Sequence, residues 1–413
     1  MANGIPAVEG PLLGALDTPR AHAARSVGLA LGGALALAAA MGIGRFVYTP
    51  ILPAMAAALD LSGAQGGLIA AANVLGYLAG ALAASAPRLP GSRRAWLLGA
   101  LAGSAGTTLL MAGSDTLGTF LALRFVAGVA SAFALVFASA LVLDRLAQAG
   151  RSGLSAVHFA GVGVGIAVSS VTVSAASDAG FDWRGLWVAA GLLSLVVLPA
   201  VALLVPPEAP GVGAVREGRG RLTIGRPFGF LLAAYFLFGL GYIVTATFLM
   251  TLVRGEPSLR AIEPAVWLTV GLAAIPSVAI WNVLGRRLGT LRAMALALVV
   301  EAAGVAASAP AFGAPGILAA AALLGATFIG ITALGIAGAR AFNPAAARQA
   351  LALMTALFGL GSALAPPVAG LIADVTGEFT LASHLAAGAL VAGAACAWAA
   401  HRSTRRGGPE PAP

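Results

Sequence analysis

Pro206-Pro-Glu-Ala-Pro-Gly-Val-Gly-Ala-Val-Arg216-Glu-Gly-Arg219-Gly-Arg221-Leu-Thr-Ile-Gly-Arg226 is the one sizeable polar break in an otherwise apolar chain. Its prolines and glycines do not sustain a helix, and its arginines do not belong in hydrocarbon. Upstream of it, apolar segments lie near 27–53, 64–86, 95–113, 117–142, 154–175 and 184–205. Downstream, a second set lies near 228–252, 264–283, 292–310, 315–339, 349–373 and 380–400. A transmembrane helix needs about 20 largely apolar residues to cross roughly 30 Å of hydrocarbon, and each segment is of that order. The break divides them six and six. The expected fold is an all-α membrane protein of twelve transmembrane helices in two six-helix halves. Its parts are a tail over 1–26, a first half over 27–205, a central loop over 206–227, a second half over 228–400 and a tail over 401–413.

Composition agrees. Of 413 residues, 59% are hydrophobic and 9% charged, where a soluble chain carries about a quarter charged residues. The net charge of +9 would suit nucleic acid only if the basic residues shared one face. They stand instead in short clusters between apolar runs, so the partner expected is the lipid bilayer and not a nucleic acid. Cys396 is the single cysteine, which excludes an intramolecular disulfide. A cleaved signal peptide does not account for the first apolar stretch, which is too long and is followed by many like it.

Short cytoplasmic loops retain excess basic residues. Placing the N-terminus inside assigns nineteen of the 24 basic residues, all arginine, to the cytoplasm, among them Arg88, Arg93, Arg94, Arg145, Arg216, Arg219, Arg340 and Arg406. The opposite loops hold Asp60, Asp115, Asp178, Asp182, Glu256, Glu263, Asp374 and Glu378 against Arg184, Arg254 and Arg260. An even number of spans also puts both termini inside. The expected location is a bacterial inner membrane, crossed many times.

An internal repeat supports the count. Gly42-Ile-Gly-Arg45 is echoed by Gly239-Leu-Gly-Tyr242, Gly91 and Arg94 by Gly289 and Arg292, and Gly161-Val-Gly163 by Gly359-Leu-Gly361. The shared offset of about 197–198 residues follows from those numbers. Parallel repeats of this kind occur in transporters, with the binding site between the halves near the midplane.

The segment Gly42-Ile-Gly-Arg-Phe-Val-Tyr-Thr-Pro-Ile-Leu-Pro53 resembles the first helix of an uncharacterised bacterial subfamily of the major facilitator superfamily. Leu121-Ala-Leu-Arg124-Phe-Val-Ala-Gly128 resembles that superfamily's helix-4 motif with its buried arginine. The resemblance implies alternating-access transport of a small molecule by a monomer, with no cofactor and no enzymatic activity. It also implies gating-loop roles for Arg93 and Arg94 and, in the second half, for Arg286, Arg287 and Arg292. Two departures stand out. The aspartate usual after helix 2 is missing from Gly80-Ala-Leu-Ala-Ala-Ser85, and Gly161-Val-Gly-Val-Gly165 lacks the proline of the antiporter motif.

Charges within spans are costly and face a bundle interior or a water-filled cavity. Three stand well inside here: Arg45, Arg124 and Glu301. Arg45 lies roughly 12 Å and Arg124 roughly 10 Å from the outer face at 1.5 Å per residue. The superfamily's helices 1 and 4 line its central cavity, so the resemblance brings the two arginines towards one site. Guanidinium forks suit carboxylate or phosphate, and the pair favours an anionic substrate. The competing role for either is to tie helices together through backbone carbonyls. Glu301 and, near the inner side, His158 are the titratable candidates for proton coupling. Asn73 and Tyr77 share a face of helix 2, and Tyr48 shares that of Arg45. Tyr242 occupies the repeat position of Arg45, and its hydroxyl needs a partner in an apolar site. These four complete the expected substrate site. Gly161 and Gly165 form a small-xxx-small face for close helix packing. Pro50, Pro53, Pro366 and Pro367 are expected to bend or end their helices.

No phosphate-binding Gly-Lys-Ser/Thr string, metal-ligand cluster or catalytic triad pattern occurs, so no catalytic or metal-ligating residues are assigned. The functional expectation is a secondary transporter of a small organic anion, proton-coupled through Glu301 or His158. Efflux of a drug-like compound is the alternative within transport, and a membrane receptor without flux is the alternative class.

Overall fold

The computed structural model describes residues 19–86, 89–207, 221–309 and 312–407. Arg88, Pro210, Arg216 and Arg219 lie outside the described residues, as do the side chains of Arg20, Arg405 and Arg406. Every element among the described residues is helical. The first half comprises α1 (Pro19–Leu37), α2 (Tyr48–Leu59), α3 (Gly63–Ala84), α4 (Arg93–Leu110), α5 (Leu117–Gln148), α6 (Ser155–Asp178) and α7 (Trp183–Leu204). The second comprises α8 (Arg226–Gly255), α9 (Glu263–Ala274), α10 (Ser277–Leu288), α11 (Thr290–Ala307), α12 (Gly313–Phe342), α13 (Ala347–Thr376) and α14 (Thr380–Gly407). Two spans are composite, which leaves twelve crossings. The first joins α1 to α2 through a π-helical turn at Ala38–Ile43. The eighth is bent by 44° between α9 and α10, where Pro276 stands at the N-cap of α10.

The helices extend beyond the apolar segments read from the sequence. The first helix begins at Pro19, well before Val27, and the last continues past residue 400 to Gly407. Pro53 lies inside α2, and Pro366 and Pro367 lie inside an unbroken α13. Pro50 falls in the first turn of α2, where the missing N–H removes no helical hydrogen bond. Neighbouring helices compensate for the others, as membrane bundles allow. The carbonyl of Pro366 faces Gly67, where a Cβ would stand only 2.2 Å from it.

Small residues set the closest helix approaches. A Cβ on Gly128 would meet the Asn73 carbonyl at 2.0 Å, and one on Gly161 would meet that of Ala34 at 2.0 Å. With no hydrophobic force to join helices in lipid, this backbone proximity supplies the packing.

The repeat is visible in space. Thr49 Oγ1 donates to the carbonyl of Ala246 at 2.6 Å, joining residues 197 apart. That spacing equals the repeat offset, so the bond joins equivalent positions, which can meet only near the axis relating the halves. Gly91 and its counterpart Gly289 have φ of 90° and 89°, a left-handed turn that glycine adopts without strain. The following arginines act alike. Arg94 donates to the carbonyls of Val205 at 2.9 Å and Ala202 at 2.6 Å, at the C-terminus of α7. Arg292 donates to His401 Nε2 at 2.9 Å near the end of α14.

The halves meet through α3 on α13, α6 on α9, and α2 on α8. At the end of the bundle opposite the arginine-rich loops, Asp374 accepts from the backbone N–H groups of Gly63 at 2.6 Å and Ala64 at 2.9 Å. A carboxylate from the second half thus caps a helix N-terminus of the first, a placement the helix dipole favours.

Candidate functional site

Arg45 lies at the turn that joins the π-helical segment to α2. The local winding there is irregular: Gly44 N–H bonds back to Ala39 and Phe46 N–H to Met41, both i−5 contacts. Such turns leave carbonyls without a regular partner, and Arg124 of α5 satisfies two of them. It donates Nη1 to Gly44 O at 2.9 Å and Nη2 to Arg45 O at 2.8 Å. Arg124 is 2% exposed and also lies over the rings of Tyr48 and Trp187, at 5.2 and 5.8 Å from their centroids. Both Nη groups of the fork expected to face substrate are therefore occupied by backbone, while its buried Nε has no hydrogen-bond partner among the described residues. Arg124 ties two helices together.

Arg45 differs. It is 6% exposed, and its Nη2 has no hydrogen-bond partner among the described residues. Its guanidinium stands 4.6 Å from the centroid of Tyr77 and 5.5 Å from that of Phe46, within reach of cation–π attraction. A buried guanidinium with one free edge is an unfinished ion pair.

The remaining polar candidates divide. Asn73 donates Nδ2 to Arg124 O at 3.0 Å, and Tyr48 donates its hydroxyl to Gly66 O at 2.8 Å, so both serve helix packing. Tyr77 and Tyr242 remain beside Arg45. Tyr242 belongs to an aromatic wall. Its ring is 5.0 Å from Phe238, 5.5 Å from Phe358 and 6.3 Å from Phe328. Phe46, Phe328, Phe358 and Trp187 were not singled out by sequence. Only Phe46, next to Arg45, carried a local signal, because the others converge from separate helices.

Glu301 is 0% exposed on α11, and neither carboxyl oxygen has a hydrogen-bond partner among the described residues. The helix packs against α8, α12 and α14. His158 is apart from this group. It is fully buried, with Nε2 3.2 Å from Ser139 Oγ, and it fills the space left by Gly33, whose added Cβ would stand 2.3 Å from Nδ1. Of the loop arginines, Arg94 and Arg292 pin neighbouring spans, and Arg93 approaches Asp144 at 3.9 Å. Arg286 and Arg287 are exposed in the last turn of α10, where cations suit the helix dipole.

Comparison with known proteins accords with this architecture. No curated protein matches the sequence significantly. Among solved structures, a point mutant of the nucleoside transporter NupG superposes with a TM-score of 0.71 at 15% identity, covering 90% of this chain and 99% of that one. A second NupG structure gives a TM-score of 0.64 at 16% identity, over 92% and 99% of the two chains. At such identity the likeness is one of fold. Residues 37–398 match the family described as uncharacterised MFS-type transporter YbfB. With that match spanning both six-helix halves, the chain belongs to the YbfB-like family of major facilitator transporters.

Proposed function

We propose that the protein carries a small organic anion across a bacterial inner membrane by alternating access, with Arg45 as the counter-charge of the substrate. The observation that carries this reading is the buried Nη2 of Arg45, which lacks a partner among the described residues beside an aromatic wall. A carboxylate would complete it with a charge-assisted hydrogen bond. The units 27–205 and 228–400 rock about the axis marked by Thr49 and Ala246, with the Asp374 cap and the α3–α13 contact closing one side. Arg94 and Arg292 hold the cytoplasmic ends of each half rigid during that motion. Protons drive the cycle through Glu301.

The experiment is counterflow in proteoliposomes with a panel of small carboxylates, neutral solutes and organic cations. Carboxylates are expected to exchange, and a preferred cation would sink the anion reading. A second reading has one observation in its favour. An apolar groove of about 230 Å3 between α8, α13 and α14 includes Leu364, Val368 and Leu385, all about half exposed, and would suit entry of a hydrophobic compound from lipid. Exchange of lipophilic cations in the same panel would favour that reading.

Orientation is tested separately. The arginine distribution predicts that a reporter fused after Arg406 is cytoplasmic and one inserted near Gly255 is outside. The reverse pattern would invert the sidedness of every gate above.

A further inference from the structure

The first backbone N–H groups of a helix have no partner within it and must find one elsewhere. At the start of α3 they divide between the two halves of the molecule. Ser62 N–H donates to Gln65 Oε1 at 3.0 Å, and Gln65 N–H donates to Ser62 Oγ at 3.2 Å. These two bonds form a capping box inside the first half. The N–H groups of Gly63 and Ala64 donate instead to Asp374 Oδ1 at 2.6 Å and Oδ2 at 2.9 Å. Asp374 stands on α13, in the second half. The cap of α3 is therefore complete only while the halves are together at this end.

Backbone contact runs beside the cap. One turn before Asp374, a Cβ on Gly370 would stand 2.0 Å from the carbonyl of Gly63, and a Cβ on Gly63 would stand 2.8 Å from Asp374 Oδ1. Such contacts supply dispersion, which carries little directional preference. Asp374 adds two directed bonds and a negative charge that the helix dipole favours. When the halves part here, water replaces the carboxylate on both N–H groups, so the contribution of the cap is lost from the parted state alone. Asp182 provides the contrast. It accepts from Gly185 N–H at 3.0 Å at the start of α7, and both residues lie in the first half. That cap is the same whether the halves are together or apart.

We infer that Asp374 is a latch between the halves, whose carboxylate sets how seldom the end opposite the arginine-rich loops opens. The inference rests on the alternating-access reading and is independent of the substrate's charge.

The test is the rate at which an impermeant maleimide labels Val270→Cys in a Cys396→Ser background, which removes the native thiol. Val270 is 1% exposed and shares a small cavity with Phe46 and Ile166 of the other half. Reagent applied to the Asp374 face reaches it when that end opens. The full-length protein is used in spheroplasts or inverted vesicles, whichever exposes Asp374 in the reporter fusions. Adding Asp374→Ala is expected to speed labelling about fivefold, the ratio set by a typical N-cap. Asp374→Asn keeps one acceptor without the charge and should give a smaller rise. Asp182→Ala should leave the rate unchanged, and melting curves check the fold of each variant. A rate that Asp374→Ala leaves equal or slower would overturn the latch and leave alternating access in place. Equal acceleration by Asp182→Ala would also overturn it, because the loss of any cap would then loosen the bundle. A cysteine that reacts after denaturation but in no folded variant would overturn the latch and the alternating-access reading together.

Discussion

Arg45→Ala is expected to weaken substrate affinity about ten- to a hundredfold, the loss of one charge-assisted contact worth on the order of 1.5–3 kcal/mol. Its melting temperature separates this loss from a loss of packing over Tyr77 and Phe46. Arg45→Lys should recover part of the affinity, since an ammonium supplies charge but not a bidentate fork. Arg124→Gln should behave in the opposite way. It strands the buried carbonyls of Gly44 and Arg45, at about 1–3 kcal/mol for each acceptor left without a donor. The expected result is a lower melting temperature in detergent together with poorer transport, because the turn that aims Arg45 loses its clamp. The double mutant should be less than additive in affinity, since both changes act on the position of one guanidinium. The measurements are substrate Kd and melting temperature for each variant. Unchanged affinity in Arg45→Ala would remove the counter-charge from the mechanism, whatever Arg124 does.

Glu301→Gln is expected to abolish uptake driven by a proton gradient while sparing exchange of labelled for unlabelled substrate. Glu301 is buried on α11 with neither oxygen partnered by a described residue. A carboxylate charge without a donor costs several kcal/mol in an apolar surround. Ionising Glu301 would therefore require a change in its surroundings, and under the proposed function that requirement would couple a proton to the motion of the helices. Glutamine retains the shape and removes the titration. The check is transport in proteoliposomes with and without an imposed pH gradient. Normal proton-driven accumulation in the mutant would exclude Glu301. His158, packed against Gly33 and Ser139, would then be the next group to replace.

The all-helical fold with its apolar spans and the repeat offset were legible in one dimension. Hydrocarbon imposes a length and a polarity on each segment regardless of its neighbours. The equivalence of Arg94 with Arg292 was legible for the same reason, and the matched turns at Gly91 and Gly289 agree with it. Helix ends were less legible. Pro366 and Pro367 read as a bend or an end, and α13 continues through them, because a bundle offers compensation that a linear pattern does not record.

The contacts of the two buried arginines were visible only in the tertiary structure. By composition and depth Arg45 and Arg124 are alike, and only the register of α5 against the turn at Gly44 shows which fork is occupied. The aromatic wall has the same origin, since Phe46, Tyr242, Phe328 and Phe358 come from four separate spans. Residence in the membrane follows from the local free energy of each segment in lipid. The partner of a buried polar group follows from which helix faces face each other, and that depends on contacts between residues far apart in the chain.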